Sequence, residues 1–205
     1  MAININGIYT GELHPTAIIA GCINVYENAF PNPVGAISLI EKEVQKQDIY
    51  WERASTVGAG VHQNKRTNYM LGISYFSDIA DNAACQSVHN QFKLLIDAAC
   101  ISYCKKYGIE ENLAHESYSM LKYSHGESYN AHYDGNVKSG RTISTITYLN
   151  DDYEGGELEF PYHNIKIKPQ AGMLIVFPSN FSYAHVAHPV TQGTKYALVT
   201  WLDEI

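Results

Sequence analysis

Apolar positions in the first half of the chain recur at helical spacing. In PNPVGAISLIEKEVQKQ, residues 31–47, Val34, Ile37, Ile40 and Val44 fall on one face of a helix, with Asn32 placed to cap its start and Pro33 at the first helical position. CQSVHNQFKLLIDAACISYCKKYG, residues 85–108, repeats the period through Val88, Phe92, Leu95, Ala99 and Tyr103, and its closing lysines and Gly108 suit a helix C-terminus. His89 lies beside that stripe and reads as a structural histidine. From about Glu116 the period changes. RTISTITYL is β-branched, EGGELEFP and HNIKIKP alternate and are broken by Gly and Pro, and GMLIVFP is the continuous apolar run expected of a strand covered on both faces. KYALVTWL closes the chain. Two helices followed by many short strands predict an α+β, mainly β fold, with helices packed outside a β-sandwich or open barrel. No linker or repeat interrupts the 205 residues, so one domain is expected, with helices and loops over 1–115 supporting a β-core from about 116 to 205.

Composition narrows the function classes. A net charge of −7 argues against a broad nucleic-acid footprint, and the one basic run, QNKRTN, is short. Tyrosine is over-used, 16 against 6 Phe and 2 Trp, which suits wet core positions and pocket walls. Cys22, Cys85, Cys100 and Cys104 match no zinc spacing, and reduced core thiols are the simpler reading. The opening MAININGIY lacks a basic flank and AIIAGCINV is too short to cross a bilayer, so a cytoplasmic, membrane-free protein is expected.

The densest chemistry lies in YSHGESYNAHYDG, Tyr123 to Gly135. In a strand His132 and Asp134 project to the same side, with Tyr133 turned away. An imidazole and a carboxylate on one side can hold an edge of a metal ion, although His-x-Asp alone is a weak signal. His125, His163, His185 and His188 qualify by type as a further ligand. His185 and His188 have opposite strand parity, so at most one of them faces a site. Two histidines and one carboxylate leave three positions open on divalent iron, as in non-haem iron oxygenases.

Three blocks extend this pattern. Tyr123, Gly126, Tyr129, His132 and Asp134 form the first; Arg141, Tyr148, Leu149, Gly155, Gly156, Glu157, Phe160 and Pro161 the second; His185, Pro189, Val190, Gly193 and Lys195 the third. In this order they resemble the prolyl 4-hydroxylase group of 2-oxoglutarate- and Fe(II)-dependent oxygenases. The resemblance implies a double-stranded β-helix, a distorted jelly roll. It implies Fe(II) on His132, Asp134 and His185, because Lys195 follows His185 at the family's interval. Lys195 and Tyr123 are implied to hold the C5 carboxylate of 2-oxoglutarate, with O2 as co-substrate and L-ascorbate as an accessory reductant. Prolyl residues of a peptide or protein are the implied substrate, hydroxylated as 2-oxoglutarate is decarboxylated to succinate. Arg141, Tyr129 and the stretch TNYMLGISYF are expected to shape the substrate side.

Leu158 departs from the pattern, since collagen-type members often carry threonine there; it leaves open how the co-substrate's tail is held. The chain is expected to correspond to a catalytic domain alone. A halogenase would lack the Asp134 carboxylate, and a nucleic-acid demethylase would place arginine where Lys195 stands. The same chemistry on a free amino acid, another small molecule or nucleic acid is the alternative for substrate, and a non-catalytic jelly-roll module would have no reason to keep the ligands together with Lys195.

Overall fold

The computed structural model describes residues 12–55, 65–109, 113–135 and 140–204; MAININGIY and the first two residues of QNKRTN lie outside them. The chain runs through β1 (Ala17–Ile19), β2 (Ile23–Tyr26), α1 (Pro33–Gln45), β3 (Glu52–Arg53), β4 (Tyr69–Gly72), α2 (Ile73–Asp78) and α3 (Ala83–Tyr107). It continues through β5 (Leu113–His115), β6 (Ser119–Tyr123), β7 (Tyr129–His132), β8 (Arg141–Tyr148), β9 (Glu154–Gly155) and β10 (Leu158–Phe160). The last strands are β11 (Ile165–Ile167), β12 (Leu174–Pro178), β13 (His185–Ala187), β14 (Val190–Gln192) and β15 (Lys195–Glu204).

Local chemistry sets the helix ends. The Asn32 side chain accepts from the Gly35 N–H at 3.1 Å and Pro33 opens α1, as its sequence predicts. Asn82 caps α3 by accepting from the N–H groups of Ala84 and Cys85, and Gly108 ends it in the left-handed conformation. The α3 stripe of Val88, Phe92, Leu95, Ala99 and Tyr103 is wholly buried. In α1 Ile40 is buried and Ile37 and Val44 pack against the core as predicted, joined by Ala36, whereas Val34 is 60% exposed. His89 is structural as read, its Nδ1 3.2 Å from the Ser77 hydroxyl and its ring against Tyr118.

Among the described residues, a long antiparallel sheet runs in the order β1-β2-β12-β8-β15-β6-β4-β3, with β5 also pairing β15. A smaller sheet, β11-β10-β13-β7, faces it, and β14 pairs β9 as a ribbon. The arrangement is the double-stranded β-helix. The helices cover the outer face of the long sheet and the small sheet covers its inner face. β12 shows why its sequence is apolar throughout: Leu174 and Val176 join the helix-side core, while Ile175 and Phe177 pack with Leu158 and Phe160 of the small sheet.

The expectation of helices and loops over 1–115 is incomplete. β1 to β5 all lie there, and β2 on β12 and β4 on β6 carry the long sheet outward at both ends. Ile23–Tyr26 is buried at every position, so it shows no alternation. TNYMLGISYF divides into β4 and α2 at Gly72, and of its residues only Met70 lines the cavity described below; Tyr69 lies under Arg53 and Tyr75 is exposed. The four cysteines are free, three buried and Cys22 half-buried. No helix among the described residues is long and apolar enough to cross a membrane.

Candidate metal centre

β7 and β13 are neighbours in the small sheet, and their register sets His132 directly opposite His185. β7 ends at His132, so Asp134 reaches the same side through the bend that follows, not by strand parity. That bend is pinned where the Gly135 N–H donates to the Ser179 carbonyl at 2.7 Å. A Cβ at Gly135 would come within 2.5 Å of the Arg141 carbonyl oxygen, which explains the glycine.

One ligand-type atom from each of His132, Asp134 and His185 lies within 4.8 Å of the others. The His132 Nδ1–H donates to the Asn130 carbonyl at 2.8 Å and the His185 Nδ1–H to the Tyr183 carbonyl at 3.1 Å. Those bonds fix both tautomers and leave the Nε2 lone pairs facing Asp134. Each Nε2 is 3.7 Å from an Asp134 oxygen, so the three groups converge without hydrogen-bonding one another. Burial, and then the neighbouring His185, push the His132 imidazole well below its ordinary pKa, which keeps it neutral. Burial pushes the Asp134 carboxyl up, but His185, His132 and hydrogen bonds from Ser144 and Trp201 together hold it below its ordinary value. The Ser144 hydroxyl donates to Asp134 at 2.7 Å and sits 2.8 Å from Ser179. Two imidazole nitrogens with their lone pairs directed inward and one oriented carboxylate fit a divalent transition metal of the iron type with positions left open.

The remaining candidate histidines stay apart from this group. His188 is 2.5 Å from Glu159, and the His163 Nε2–H donates to the Ser182 carbonyl at 3.0 Å, beside Tyr183. His125 forms an isolated bridge with Val190.

The three groups open on a cavity of about 210 Å³ between the two sheets. Its floor is the inward row of β15, from Lys195 through Ala197 and Val199 to Trp201, flanked by Tyr123 of β6 and Tyr148 of β8. Trp201 lies six residue steps along the strand from Lys195, roughly 20 Å at an extended rise.

At the Lys195 end the ammonium is 2% exposed, donates to the Gly156 carbonyl at 2.9 Å and lies 4.4 Å over the Tyr123 ring. Burial lowers its pKa to about 7, against a raising pull from Glu157 and a lowering push from Lys168. Gly156 has φ +66, and a Cβ there would meet Tyr153 at 2.9 Å and Lys195 at 3.3 Å, which accounts for the second glycine of the Gly-Gly pair. Leu158 is buried in the same wall and brings no polar atom. Tyr148 shares this end; the Tyr-Leu of the second block was its only signal in the sequence.

At the other end Arg141 holds Glu116 through Nε and Nη2 at 2.5 and 2.6 Å, with its guanidinium 3.7 Å over Trp201. Tyr129 stacks on His132, centroids 3.4 Å apart. Arg66 also lines the cavity and was not singled out by its sequence, because it enters from a segment more than fifty residues before Tyr123.

Residues 118–203 match the model of the 2OG-Fe(II) oxygenase superfamily. A PKHD-type hydroxylase of Prochlorococcus marinus (strain MIT 9215) is 30% identical over 173 residues, 82% of this chain and 72% of its own. Prolyl 4-hydroxylase 13 of Arabidopsis thaliana is 28% identical over 119 residues, 44% of this chain; the chain spans only 43% of that relative's length. In three dimensions the chain is similar to a prolyl hydroxylase from Trichoplax adhaerens solved with a peptide fragment of the hypoxia inducible factor oxygen degradation domain. The TM-score is 0.76 at 19% identity, over 90% of this chain and 84% of the other.

Proposed function

The chain belongs to the 2OG-Fe(II) oxygenase superfamily, and on that footing we propose that it is a dioxygenase hydroxylating a peptide or protein at proline, with 2-oxoglutarate converted to succinate. One observation carries the reading: a His132–Asp134–His185 group and a buried lysine, Lys195, line the same cavity. His132, Asp134 and His185 would hold Fe(II), which supplies the oxidising chemistry with O2 and the keto acid as co-substrates. Lys195 would pair with the far carboxylate of 2-oxoglutarate, with the Tyr123 and Tyr148 hydroxyls at hand in the same wall. Leu158, buried in the cavity wall, would pack against the keto acid's methylene chain and leave the polar contacts to those three. The carbonyls of Asn130 and Tyr183 keep both imidazoles in the ligating tautomer, and Ser144 orients the carboxylate.

Proline in peptides is supported by the names of the relatives and by the peptide held by the Trichoplax adhaerens neighbour. Tyr129, beside His132, and Arg141, beside Trp201, would form the substrate wall. The four free cysteines suit a reducing compartment such as the cytoplasm. The test is coupled turnover: with Fe(II) and 2-oxoglutarate, succinate release rises when proline-rich peptides are added, and mass spectrometry finds one added oxygen on proline. Stimulation by methylated oligonucleotides, with none by a broad set of proline peptides, would refute the prolyl reading.

A further inference from the structure

Arg66 stands at the cavity wall, and no carboxylate among the described residues pairs with it. Its backbone forms a bridge opposite Tyr129, and the flanking Lys65 and Thr67 bond to Asn130 and Ser128, so this short segment adds an outer edge to β7. The pairing lays the Arg66 guanidinium 4.7 Å over the Tyr129 ring, which itself stacks on His132. The cation is therefore one aromatic ring from the candidate metal ligands. It is only 8% exposed.

Its partners are all neutral. Nε donates to the Asn68 side-chain oxygen at 2.8 Å and Nη1 to the Ser55 carbonyl at 2.9 Å, and Tyr129 lies beneath, its hydroxyl also hydrogen-bonded to the guanidinium. No carboxylate pairs with Arg66 among the described residues, and TVGAGVHQN, the stretch between Ser55 and Lys65, contains no Asp or Glu. The nearby acids are committed elsewhere: Glu116 to Arg141 in a two-point bridge, Glu127 to Arg53 at 2.8 Å, Asp134 to the metal group. A guanidinium carries five N–H donors and keeps its charge at any physiological pH, so Arg66 retains donors for a planar acceptor. A largely desolvated charge without a counter-ion is costly, and that cost is relieved by whatever brings the opposite charge.

The charge balance says which reactant brings it. On the reading proposed above, a divalent cation with Asp134, and a dianionic keto acid with Lys195, cancel one another; Arg141 and Glu116 do the same. Among the described residues Arg66 is left over, beside Tyr129 and His132. We propose that Arg66 binds a carboxylate of the substrate, so that the preferred substrate carries a negative charge close to the residue that is hydroxylated. Two sources offer this chemistry: an Asp or Glu beside proline in a peptide, or the α-carboxylate of a free amino acid. The inference rests on the oxygenase reading but is separable from it.

The test is equilibrium binding, without turnover, to the chain loaded with Mn(II) and 2-oxoglutarate under nitrogen. Probes are paired: capped proline peptides with Asp or Glu at flanking positions against their Asn or Gln counterparts, and L-proline against L-prolinamide. In the wild type the carboxylate member of one pair binds at least about tenfold more tightly than its amide, the equivalent of ~1.4 kcal/mol. Whichever pair shows it identifies the source. Arg66→Gln reduces the preference to within about twofold, and Arg66→Lys restores part of it, with melting temperatures establishing that both variants are folded. Carboxylates that bind no better than amides, or a preference that survives Arg66→Gln, overturn the proposal. Binding of 2-oxoglutarate itself is titrated alongside: its absence from the wild type would sink the oxygenase reading, whereas its presence without any carboxylate preference sinks the Arg66 proposal alone.

Discussion

The charged side chains facing the cavity differ in what holds them, and each difference can be measured. Asp134 is oriented by Ser144, which Ser179 steadies in turn. Groups that orient ligands typically contribute 10- to 100-fold in metal affinity, so Ser144→Ala should weaken Mn(II) or Co(II) binding by about that factor in a calorimetric titration, with the melting temperature nearly unchanged. Among the described residues Lys195 is held by a carbonyl and an aromatic face, and burial brings its pKa to about 7. Below that pH it is already an ammonium, and a carboxylate binds without proton uptake. Above it the free lysine is neutral and binding must take up a proton. The 2-oxoglutarate affinity should therefore be flat below about pH 7 and fall by up to roughly tenfold per unit above it. Lys195→Ala should raise the 2-oxoglutarate KM at least about tenfold and abolish that pH dependence; a KM that stays put would move the co-substrate elsewhere. The sequence shows His132, Asp134, His185 and Lys195 because fixed local spacings carry them. Ser144, Ser179 and Arg66 have no such spacing: they meet the site across strand pairings that join distant parts of the chain, and serine or a lone arginine is an ordinary residue until its neighbour is known.

Elements place these side chains, and their turns tolerate little change. Gly156 lies where β9 gives way to β10, with a left-handed backbone and no room for a Cβ between Tyr153 and Lys195. Gly156→Ala should cost about 1–3 kcal/mol in denaturant unfolding and raise the 2-oxoglutarate KM, because the carbonyl that receives Lys195 moves with it. Gly108→Ala, at the end of α3, carries similar backbone strain far from the cavity and should lower stability without altering that KM. If the two variants behaved alike toward 2-oxoglutarate, the Gly156 turn would have no special part in the site. α1, α3 and the strands Arg141–Tyr148, Leu158–Phe160, Ile165–Ile167, Leu174–Pro178 and Lys195–Glu204 are legible from period and caps, whereas the short α2 is not. β1 to β5 are not, since two to four residues carry too little periodicity and Ile23–Tyr26 is buried throughout, where alternation disappears.

The whole molecule is a sandwich whose inner space holds the chemistry and whose outer face is shut by α3. Phe92 is fully buried between that helix and the long sheet and packs edge-on to Tyr118. Phe92→Ala should cost about 3–5 kcal/mol, while the protein that remains folded binds metal as before; a selective loss of metal binding would mean that the helices tune the site directly. Within the sandwich His132, Asp134 and His185, the proposed iron ligands, converge, and His188 lies outside with Glu159. The decisive experiment is Fe(II)-dependent release of succinate from 2-oxoglutarate by the wild type, Asp134→Ala and His188→Ala, each verified as folded by circular dichroism. The wild type and His188→Ala should agree within about twofold and Asp134→Ala should release none above the metal-free background. Turnover retained in Asp134→Ala, or lost in His188→Ala, would contradict the assignment of the metal centre.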